Sequence, residues 1–440
     1  MKKEKLKAKK ILILGGGLSG LSAALKLKEY NKNLDITIFE KKQYFGGLAA
    51  SFKQGEFLIP IFYHHIISSN KITMKYLNKY GLLKDCKWKR IKLAISHKNK
   101  IVNINSLKGL LSYKGLSLFG KFRFGLFGLY VIFLMNPKKI NTALDAHTWL
   151  MKNAGKETTE RIFHHLYARN KFNVPLTELS AKQLANRLKE REIYDKFTYP
   201  RKGLQKMIQG IINDLKSYNV NLHTNINIRS IDFKKKQLEY KIKTNSKKIL
   251  KNFDIIINTI PIPSFLKVAK NLSKDYKQEL LKLKYCPVVN IAFATSKPLD
   301  NKHYWINLFG EKPHIIMQHS ILNDNYPWKV NWVLRYGGSK EDLNKTDLEI
   351  KKDYLGVVKK YFPHADIVWA KVFKEKHAEP IYDKNYGDYA PKNKTPIQGL
   401  YMTGIQTTYP KIRNMNVALE SGEKIAKIIS KDLVMKNKKL

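Results

Sequence analysis

Tyr63, His64 and His65 place a phenol and two imidazoles side by side, and they are the clearest candidates for acid–base chemistry in the sequence. A neutral imidazole can accept a proton near pH 7 because histidine titrates close to neutrality. Neighbouring side chains on a strand point to opposite faces, so the pattern predicts that at most one of the two histidines faces a substrate. Structural packing of both histidines is the competing interpretation. No third ligand with metal-site spacing accompanies them, and we expect no metal site here.

Three glycines near the N-terminus form a second candidate site. Gly15, Gly17 and Gly20 follow an apolar run in G-x-G-x-x-G spacing, and leucines recur behind them at helical intervals. In such a turn the first glycine permits a sharp bend, the second lets a pyrophosphate approach the backbone, and the third lets the helix pack closely. The N–H groups around Leu18 and Ser19 would lie at the helix N-terminus, where the helix dipole favours an anion. The pattern therefore predicts a strand, a phosphate-binding turn and a helix rather than a signal peptide.

An acidic residue follows the next β-rich run at the separation expected for a nucleotide-binding domain. The run LDITIFE ends at Glu40, whose carboxylate would hydrogen-bond a ribose hydroxyl and would repel a 2′-phosphate. Lys41 comes next and is predicted to lie beside the same nucleotide. These residues favour an adenine dinucleotide without a 2′-phosphate.

Further motifs resemble one family of flavoenzymes. The pair Gly46 and Gly47 follows Glu40 after a short spacer, and residues 399–429 read as a strand into Gly404, a loop and a helix that starts near Met415. Together these features resemble the flavin-containing amine oxidase and protoporphyrinogen oxidase superfamily, over nearly the whole chain. The resemblance implies non-covalently bound FAD, with its pyrophosphate on the first glycine turn and its isoalloxazine near the glycine pair and the last helix.

The resemblance also implies lesser contacts and shows two departures. Leu48 and Asn416 are expected near the flavin, and Ile228 lies on a strand that the family places at the adenosine side. Many members carry an arginine soon after the glycine pair and an aspartate after the last glycine. This chain has Leu48 followed by two alanines at the first place and Ile405 at the second.

The motif order predicts an α/β fold: a Rossmann-type FAD-binding domain into which a mixed α+β substrate domain is inserted. Helical spacing dominates the first insertion, at 141–155 and at 177–192, where Ser180 is a candidate N-cap, and short β-type runs dominate the second. The predicted boundaries are 9–70, 201–265 and 376–435 for the three parts of the FAD-binding domain, 71–200 for the helix-rich first part of the substrate domain and 266–375 for its strand-rich second part.

Composition limits the partners and the compartment. The 440 residues carry a net charge of +47 and only two cysteines, and the cysteines fit a reducing compartment such as the cytoplasm. No nucleic-acid-binding module is recognisable, so no specific nucleic acid is expected. One interpretation of the positive net charge is attraction to an anionic membrane or an anionic substrate. The other is that the lysines only solvate the surface.

Residues 116–135 combine Lys121 and Arg123 with an uncharged apolar run. The run is too short to span a bilayer, which takes about 20 apolar residues. Two interpretations remain: a helix buried between the domains, or a surface helix that dips into an anionic membrane at its inner face, as protoporphyrinogen oxidase-like enzymes attach.

Three functions from different classes fit these features. The first is an FAD-dependent oxidoreductase that exchanges a hydride with a hydrophobic or membrane-borne small molecule, which could be anionic or lipid-linked. The second is a non-redox flavoenzyme that acts on a nucleotide- or lipid-linked sugar, similar to UDP-galactopyranose mutase. The third is a binding protein of the same fold group, such as the Rab GDP-dissociation inhibitors, and the intact glycine and acid motifs argue against it. The oxidoreductase is the function that the sequence favours.

Overall fold

The structure is a computed structural model that describes residues 8–104, 106–190, 195–233, 238–243, 248–337 and 340–437. In chain order the strands are β1 (Lys10–Leu14), β2 (Asp35–Phe39), β3 (Ser51–Gln54), β4 (Phe57–Pro60), β5 (Ile66–Ile67), β6 (Lys89–Arg90), β7 (Leu93–His97), β8 (Lys100–Asn103), β9 (Lys196–Thr198), β10 (Asn221–His223), β11 (Asn227–Asp232), β12 (Leu238–Lys243), β13 (Lys248–Phe253), β14 (Ile255–Asn258), β15 (Ala269–Lys270), β16 (Tyr285–Thr295), β17 (Trp305–Asn307), β18 (Ile315–Gln318), β19 (Lys329–Tyr336), β20 (Ile367–Pro380) and β21 (Leu400–Met402).

The α-helices are α1 (Leu18–Tyr30), α2 (Lys71–Lys79), α3 (Leu107–Ser112), α4 (Leu118–Leu129), α5 (Ala146–Asn153), α6 (Lys156–Thr158), α7 (Ala181–Lys189), α8 (Leu204–Ser217), α9 (Ile262–Val268), α10 (Lys274–Leu281), α11 (Asp347–Tyr361), α12 (Tyr386–Tyr389) and α13 (Met415–Asn437). Two segments, Tyr130–Leu134 and Thr159–Phe172, are π-helical and continue α4 and α6. Short 3₁₀ turns include Gly47–Ala49 and Ile405–Thr407.

A five-stranded parallel sheet forms from distant parts of the chain. Its strand order is β10-β2-β1-β14-β21, and each neighbouring pair is parallel. The strands β1 and β14 are almost wholly buried because they lie between neighbours and under helices, and this explains their uninterrupted apolar runs. The predicted α/β fold with a Rossmann-type sheet is confirmed.

Helices α1 and α13 pack side by side against this sheet. The Ser19 hydroxyl donates to the Ala418 carbonyl oxygen at 3.0 Å, and the Ser22 hydroxyl donates to the Leu419 carbonyl oxygen at 3.0 Å. A methyl group at Gly422 would lie 2.0 Å from the Ser22 hydroxyl oxygen, so the two helices require a small residue there. The first and last helices are thus fixed to each other.

A seven-stranded sheet forms the second layer, in the order β20-β16-β19-β18-β17-β7-β8. Its strands are antiparallel except where β17 runs parallel to β7. The predicted short strands of the second insertion are β16 to β19. Strands β7 and β8 come from the first insertion, which was expected to be helix-rich, so both insertions build this sheet. The domain boundaries themselves stay a prediction.

The helices of the first insertion cover one side of the molecule. The predicted helix at 141–155 is α5, and the predicted helix at 177–192 is α7, whose prediction extends into residues outside the described ranges. The Ser180 hydroxyl accepts from the Gln183 N–H, which confirms the predicted N-cap.

The apolar segment 116–135 forms α4 and the π-helix Tyr130–Leu134 on the surface. Phe127, Val131 and Met135 are buried, and Phe127 packs edge-on against Trp149 and Phe163. The opposite face is exposed to solvent and consists of Leu118, Phe119, Phe122, Leu126, Leu129, Phe133 and Leu134. The helix is therefore not enclosed between two domains, as one of the two interpretations required. No helix among the described residues is long and apolar enough to cross a membrane.

Candidate active site

A cavity of about 310 Å³ opens at the carboxyl ends of the parallel sheet. Gly15 follows β1, Glu40 follows β2, Thr259 follows β14 and Gly404 follows β21, and all four residues line the cavity. Open α/β sheets bind ligands in the crevice outside the carboxyl ends of their strands. The cavity therefore occupies the position expected for the cofactor.

The first glycine turn has the geometry that its spacing predicts. Gly15 has φ +101°, and a methyl group at Gly20 would lie 2.2 Å from the Gly15 carbonyl oxygen. Gly20 thus packs α1 against the turn, and it does not line the cavity. A methyl group at Gly17, in contrast, would have Gly47 Cα at 3.9 Å as its nearest neighbour. Packing within the protein does not require glycine at 17, which agrees with a role in admitting a pyrophosphate.

The helix start beside this turn faces the same cavity. Leu18 and Ser19 begin α1 and line the cavity, and Gly17 is the N-cap residue with no side chain to satisfy the first N–H groups. Unsatisfied N–H groups and the helix dipole make this end suitable for an anion.

Glu40 is held at the end of β2 by the backbone. One carboxylate oxygen accepts from the Gly16 N–H at 2.8 Å, and the other accepts from the Lys42 N–H at 2.8 Å. Lys42, rather than the predicted Lys41, lines the cavity and forms an ion pair with Glu375 at 3.3 Å. A ribose bound here would meet a carboxylate whose orientation is already fixed by these two backbone N–H groups.

The glycine pair connects the loop after β2 with the first glycine turn, which follows β1. Gly46 and Gly47 have φ +114° and +59°, and the Gly46 N–H donates to the Gly16 carbonyl oxygen at 2.8 Å. A methyl group at Gly47 would approach Gly17 Cα to 3.1 Å. The two turns touch and form one wall of the cavity, which continues through Leu48.

Helix α13 points its N-terminus at the cavity through Met415. The Asn414 side chain accepts from the Val417 N–H at 2.8 Å and caps the helix. Asn416 does not line the cavity. Its side-chain oxygen instead accepts from the N–H groups of Ile72 and Thr73, at 2.8 and 3.1 Å, and caps α2. Its position in the helix turns the Asn416 side chain toward α2, and a contact of Asn416 with the flavin stays a prediction.

Ile228 does not line the cavity. It stands on β11, in the separate four-stranded sheet β13-β12-β11-β15, and packs into an apolar cluster. The Ile226 N–H, just before β11, donates to the Glu40 carbonyl oxygen at 2.9 Å, and a contact of Ile228 with the adenosine side of the cofactor stays a prediction.

Tyr63, His64 and His65 line the cavity together. They lie in irregular backbone between β4 and β5, so the alternation expected of a strand does not apply, and both histidines line the cavity; which of them faces a substrate stays a prediction. His64 Nε2 lies 2.8 Å from the Leu48 carbonyl oxygen, and His65 Nδ1 lies 3.2 Å from the Tyr304 hydroxyl. A carbonyl oxygen only accepts, so His64 Nε2 carries a hydrogen and its Nδ1 is the free acceptor.

Burial determines the protonation of these groups. It lowers the pKa of His64 to about 4 and that of His65 to about 3, and it raises the pKa of Tyr63 well above its usual value. Both imidazoles are therefore neutral at pH 7, and the phenol keeps its proton. Such groups act in this cavity as hydrogen-bond donors and acceptors more readily than as charged groups.

A second set of charged residues lies in the same cavity, and we call it the cation cluster: Lys171, Arg187 and Arg413, with Glu379 paired to Lys171 and Arg413. Glu379 is fully buried, and its carboxylate lies 2.6 Å from Lys171 Nζ and 3.2 Å from Arg413 Nε. The three cations line the cavity. Although burial opposes ionisation, Lys171 and Arg413 hold the pKa of Glu379 below its usual value.

Tyr336 completes the cation cluster. The Arg413 guanidinium donates to the Tyr336 hydroxyl at 2.9 Å, and Lys171 Nζ lies 4.9 Å from the centre of the Tyr336 ring. Sequence reasoning missed the whole cluster because its five members are scattered over five segments and none belongs to a local motif.

Other histidines differ in their placement. His377 lines the cavity, whereas His319 is fully buried between Tyr199 and Trp332. Among the described residues, no three His, Cys, Asp or Glu side chains are close enough to hold a metal ion.

Taken together, the parallel sheet, the two touching glycine turns, the oriented acid and the helix start define a dinucleotide-binding protein of the Rossmann type with a second sheet over its cavity. The chain belongs to the flavin-containing amine oxidoreductase family, whose model matches residues 18–430. It is an FAD-dependent oxidoreductase by this membership, and the residues lining the cavity fit that cofactor.

Known proteins agree with this assignment. The chain is 24% identical to a coproporphyrinogen III oxidase from Staphylococcus aureus over 333 residues, which are 67% of this chain and 69% of that protein. Its fold is similar to that of a candidate protoporphyrinogen oxidase from an Exiguobacterium species, with a TM-score of 0.78 and 14% identity over 97% of this chain and all of the other. It is also similar to a reduced UDP-galactopyranose mutase, with a TM-score of 0.76 and 15% identity over 96% of this chain and 95% of the other.

Proposed function

We propose that this enzyme exchanges a hydride between FAD and a hydrophobic organic molecule held in a membrane. FAD, when bound, would supply the acceptor or the donor of the hydride, which carries two electrons and a proton between the flavin and a C–H bond of the substrate. The Tyr63–His65 segment would hold the reacting part of the substrate against the flavin, and His64 Nδ1 would accept a hydrogen bond or proton from it. Gly15, Gly17, Leu18, Ser19 and Glu40 would hold the cofactor's phosphates and ribose.

The observation that carries the membrane part of the proposal is the exposed apolar face of α4 and the following π-helix, which we call the apolar stripe. Phe119, Phe122, Leu126, Leu129 and Phe133 recur at three- and four-residue intervals and are each 49–74% exposed. Single exposed apolar residues are ordinary, whereas a continuous row of large ones marks an interaction surface.

The charge around the apolar stripe favours an anionic lipid surface over a protein partner. Residues 86–144 contain twelve lysines and arginines and no acidic residue. Basic side chains near an anionic bilayer each contribute about 1 kcal/mol of attraction, and apolar side chains that enter the interface add to it. We therefore propose peripheral attachment at the inner membrane face.

The apolar stripe is also connected to the cavity. Phe127, on the buried side of α4, packs against Phe163 of the π-helix that carries Lys171. Lys189 of α7 donates to the carbonyl oxygens of Val131 and Ile132 at 3.1 Å, and the same helix carries Arg187. The helices that contact the inner side of the stripe thus carry two residues of the cavity lining, which favours entry of a membrane-held substrate from this side.

Liposome co-sedimentation tests the attachment. The purified protein should sediment with anionic vesicles, and Phe122→Glu with Phe133→Glu should release it while the flavin absorption is unchanged. Leu348→Glu is the matched control, since Leu348 is 78% exposed on α11 and far along the chain from the stripe. Equal retention of all variants would show that the stripe does not bind lipid. Binding that high salt abolishes completely would show that the lysines act without apolar insertion.

A second function, a non-redox reaction on a nucleotide- or lipid-linked sugar, is favoured by one observation, the cation cluster, because such sugars carry phosphate. Anaerobic mixing with a panel of candidates separates the two functions. Coproporphyrinogen III and protoporphyrinogen are the substrates that the names of two similar proteins indicate, and a substrate of an oxidoreductase would bleach the flavin absorption. A phosphate-linked sugar that turns over only after the flavin has been reduced, with no net bleaching, would support the second function instead.

A further inference from the structure

We infer that Gln406 binds the ribityl chain of FAD through its uncharged amide oxygen. Many members of the family carry an aspartate after the last glycine, whereas this chain has Ile405 there and Gln406 one residue later. The ligand is the cofactor, so the role of Gln406 does not depend on which substrate the enzyme takes.

The Gln406 side chain is buried in the wall of the cavity, after strand β21. It lines the cavity and is only 1% exposed. Its Nε2 donates to the Thr403 carbonyl oxygen at 2.7 Å and to the Ile260 carbonyl oxygen at 3.4 Å. Because carbonyl oxygens only accept, these contacts fix the amide with its nitrogen toward the backbone and its oxygen away from it.

The amide oxygen of Gln406 is left as an acceptor. Among the residues that the structure describes, none donates a hydrogen bond to Gln406 Oε1. Gly404, which also lines the cavity and has φ +100°, lies beside this oxygen: a methyl group at Gly404 would be 3.2 Å from it. A buried acceptor without a partner is costly, and a ligand hydroxyl that donates to it would remove that cost.

Two tyrosines hold the backbone that carries Gln406. The Tyr386 hydroxyl donates to the Gln406 carbonyl oxygen at 2.9 Å, and the Tyr382 hydroxyl donates to the Ile405 carbonyl oxygen at 3.3 Å. Both tyrosine side chains are fully buried, and their ring centres lie 4.9 Å apart. The acceptor is therefore held in position before the cofactor binds, which lowers the entropic cost of binding.

The position of Gln406 indicates which part of FAD it meets. Ile260, whose carbonyl oxygen it contacts, packs on the first glycine turn, since a methyl group at Gly15 would lie 2.8 Å from Ile260 Cγ2. That turn is the predicted pyrophosphate site, and the isoalloxazine is expected near the start of α13 at Met415. In FAD the ribityl chain connects these two parts. Its hydroxyl groups can each donate a hydrogen bond to an amide oxygen.

An uncharged acceptor suits this place better than a carboxylate. An amide donates to the Thr403 and Ile260 carbonyl oxygens and still accepts from a ligand. A carboxylate at 406 would instead turn a negative oxygen toward these carbonyl oxygens, and it would also lie near the predicted pyrophosphate site. Glutamine therefore supplies the acceptor without either repulsion.

Titration of two nucleotides separates the ribityl contact from the rest of the cofactor site. FAD contains the ribityl chain, whereas ADP has the adenosine and the pyrophosphate without it. Both are titrated calorimetrically into protein from which FAD has been removed. Gln406→Met keeps a side chain of similar length and removes the acceptor. The Kd for FAD should rise roughly tenfold in this variant, and the Kd for ADP should stay unchanged.

Gln318→Met is the matched control. Gln318 is also buried, and its Nε2 donates to Asp300 Oδ1 at 2.8 Å and to the His303 carbonyl oxygen at 2.7 Å, but it does not line the cavity. Both variants should lower the temperature of thermal unfolding, because each removes a buried donor from its two acceptors. Only Gln406→Met should bind FAD more weakly.

FAD analogues that each lack one ribityl hydroxyl test the same contact from the side of the ligand. One of them should bind the wild type roughly tenfold more weakly than FAD does. The same analogue should bind Gln406→Met as tightly as FAD binds it, because the partner of the missing hydroxyl is already gone. The wild-type comparison needs no variant, so it decides the question even if Gln406→Met does not fold.

Three outcomes would overturn the role of Gln406. They are an unchanged Kd for FAD in Gln406→Met, an equal loss of FAD and ADP affinity in that variant, and analogues that all bind the wild type as tightly as FAD. A loss of FAD affinity in Gln318→Met equal to that in Gln406→Met would overturn it as well, because the effect would then come from lower stability. None of these titrations involves a substrate, so their result stands whether or not a tested donor reduces the flavin.

Discussion

Gly17→Ala separates the cofactor site from the fold. The backbone at Gly17 has φ −74° and ψ 177°, which alanine adopts without strain, and the added methyl would have no heavy atom within 3.9 Å. Replacing glycine by alanine at an N-cap costs roughly 0.5–1 kcal/mol, and the stiffer unfolded chain returns a similar amount. The free energy of unfolding without FAD should therefore change by less than about 1 kcal/mol.

The effect on FAD should be much larger. The methyl would occupy the space between the two glycine turns, where the pyrophosphate is expected to meet the N–H groups at the start of α1. Each charge-assisted hydrogen bond lost there costs about 1.5–3 kcal/mol, so the Kd for FAD should rise at least roughly tenfold, and about a hundredfold if the loss is near the upper figure.

Titration of FAD into the apoprotein, followed by quenching of flavin fluorescence, measures this Kd, and thermal unfolding by circular dichroism measures stability. Gly20→Ala is the contrast, because its methyl would meet the Gly15 carbonyl oxygen at 2.2 Å and should destabilise the protein itself. Gly356→Ala is the control. Gly356 lies exposed within α11, and a methyl group there would have no heavy atom outside its own helical turns within 4 Å. The free energy of unfolding of this variant should rise by about 1 kcal/mol, with FAD binding unchanged. A folded Gly17→Ala protein that binds FAD as tightly as the wild type would refute this assignment of the phosphate site.

Three further expectations concern individual side chains. His64→Ala should slow flavin reduction by about a hundredfold with FAD retained, and His65→Ala should slow it by less. The reason is that the Leu48 carbonyl oxygen holds Nε2 of His64 and leaves Nδ1 as the acceptor. Equal small effects of both variants, with lower stability, would mean that both histidines are structural. Burial lowers the pKa of His319 from 6.5 to about 3, so between these pH values the side chain binds its proton mainly in the unfolded state. The free energy of unfolding should therefore fall by about 1.4 kcal/mol for each pH unit as the pH drops from 6.5 to about 3. Denaturant unfolding of His319→Gln should show a correspondingly weaker dependence of this free energy on pH. Asp342→Ala should cost about 3 kcal/mol or more in thermal unfolding, since it removes the 2.9 Å partner of the buried Arg335.

Local features of the cofactor site were predictable from the sequence. The roles of Gly15 and Gly20 follow from backbone conformation and close packing, and both depend on neighbours within a few residues. The Ser180 cap and the strands of the second sheet follow for the same reason, because capping and side-chain alternation are local properties.

Features that depend on distant segments were not predictable. Lys171 and Arg413 meet at Glu379 and Tyr336, and nothing near any of these residues in the sequence signals the others. The apolar stripe has the composition of a core helix, so only the structure shows which of its faces is exposed. Two asparagines flank Met415, and the sequence did not distinguish which caps α13 and which caps α2.

The pairing of α1 with α13 affects how the protein is made. Strand β21 and helix α13 lie far along the chain from β1 and α1, yet they complete the sheet and the cavity wall that β1 and α1 begin. Contacts of such long sequence separation form slowly because loop-closure entropy must be overcome first. A nascent chain therefore exposes the edge of β14 and one side of α1 until residues 400–437 have been synthesised, and the cavity wall closes only after that step.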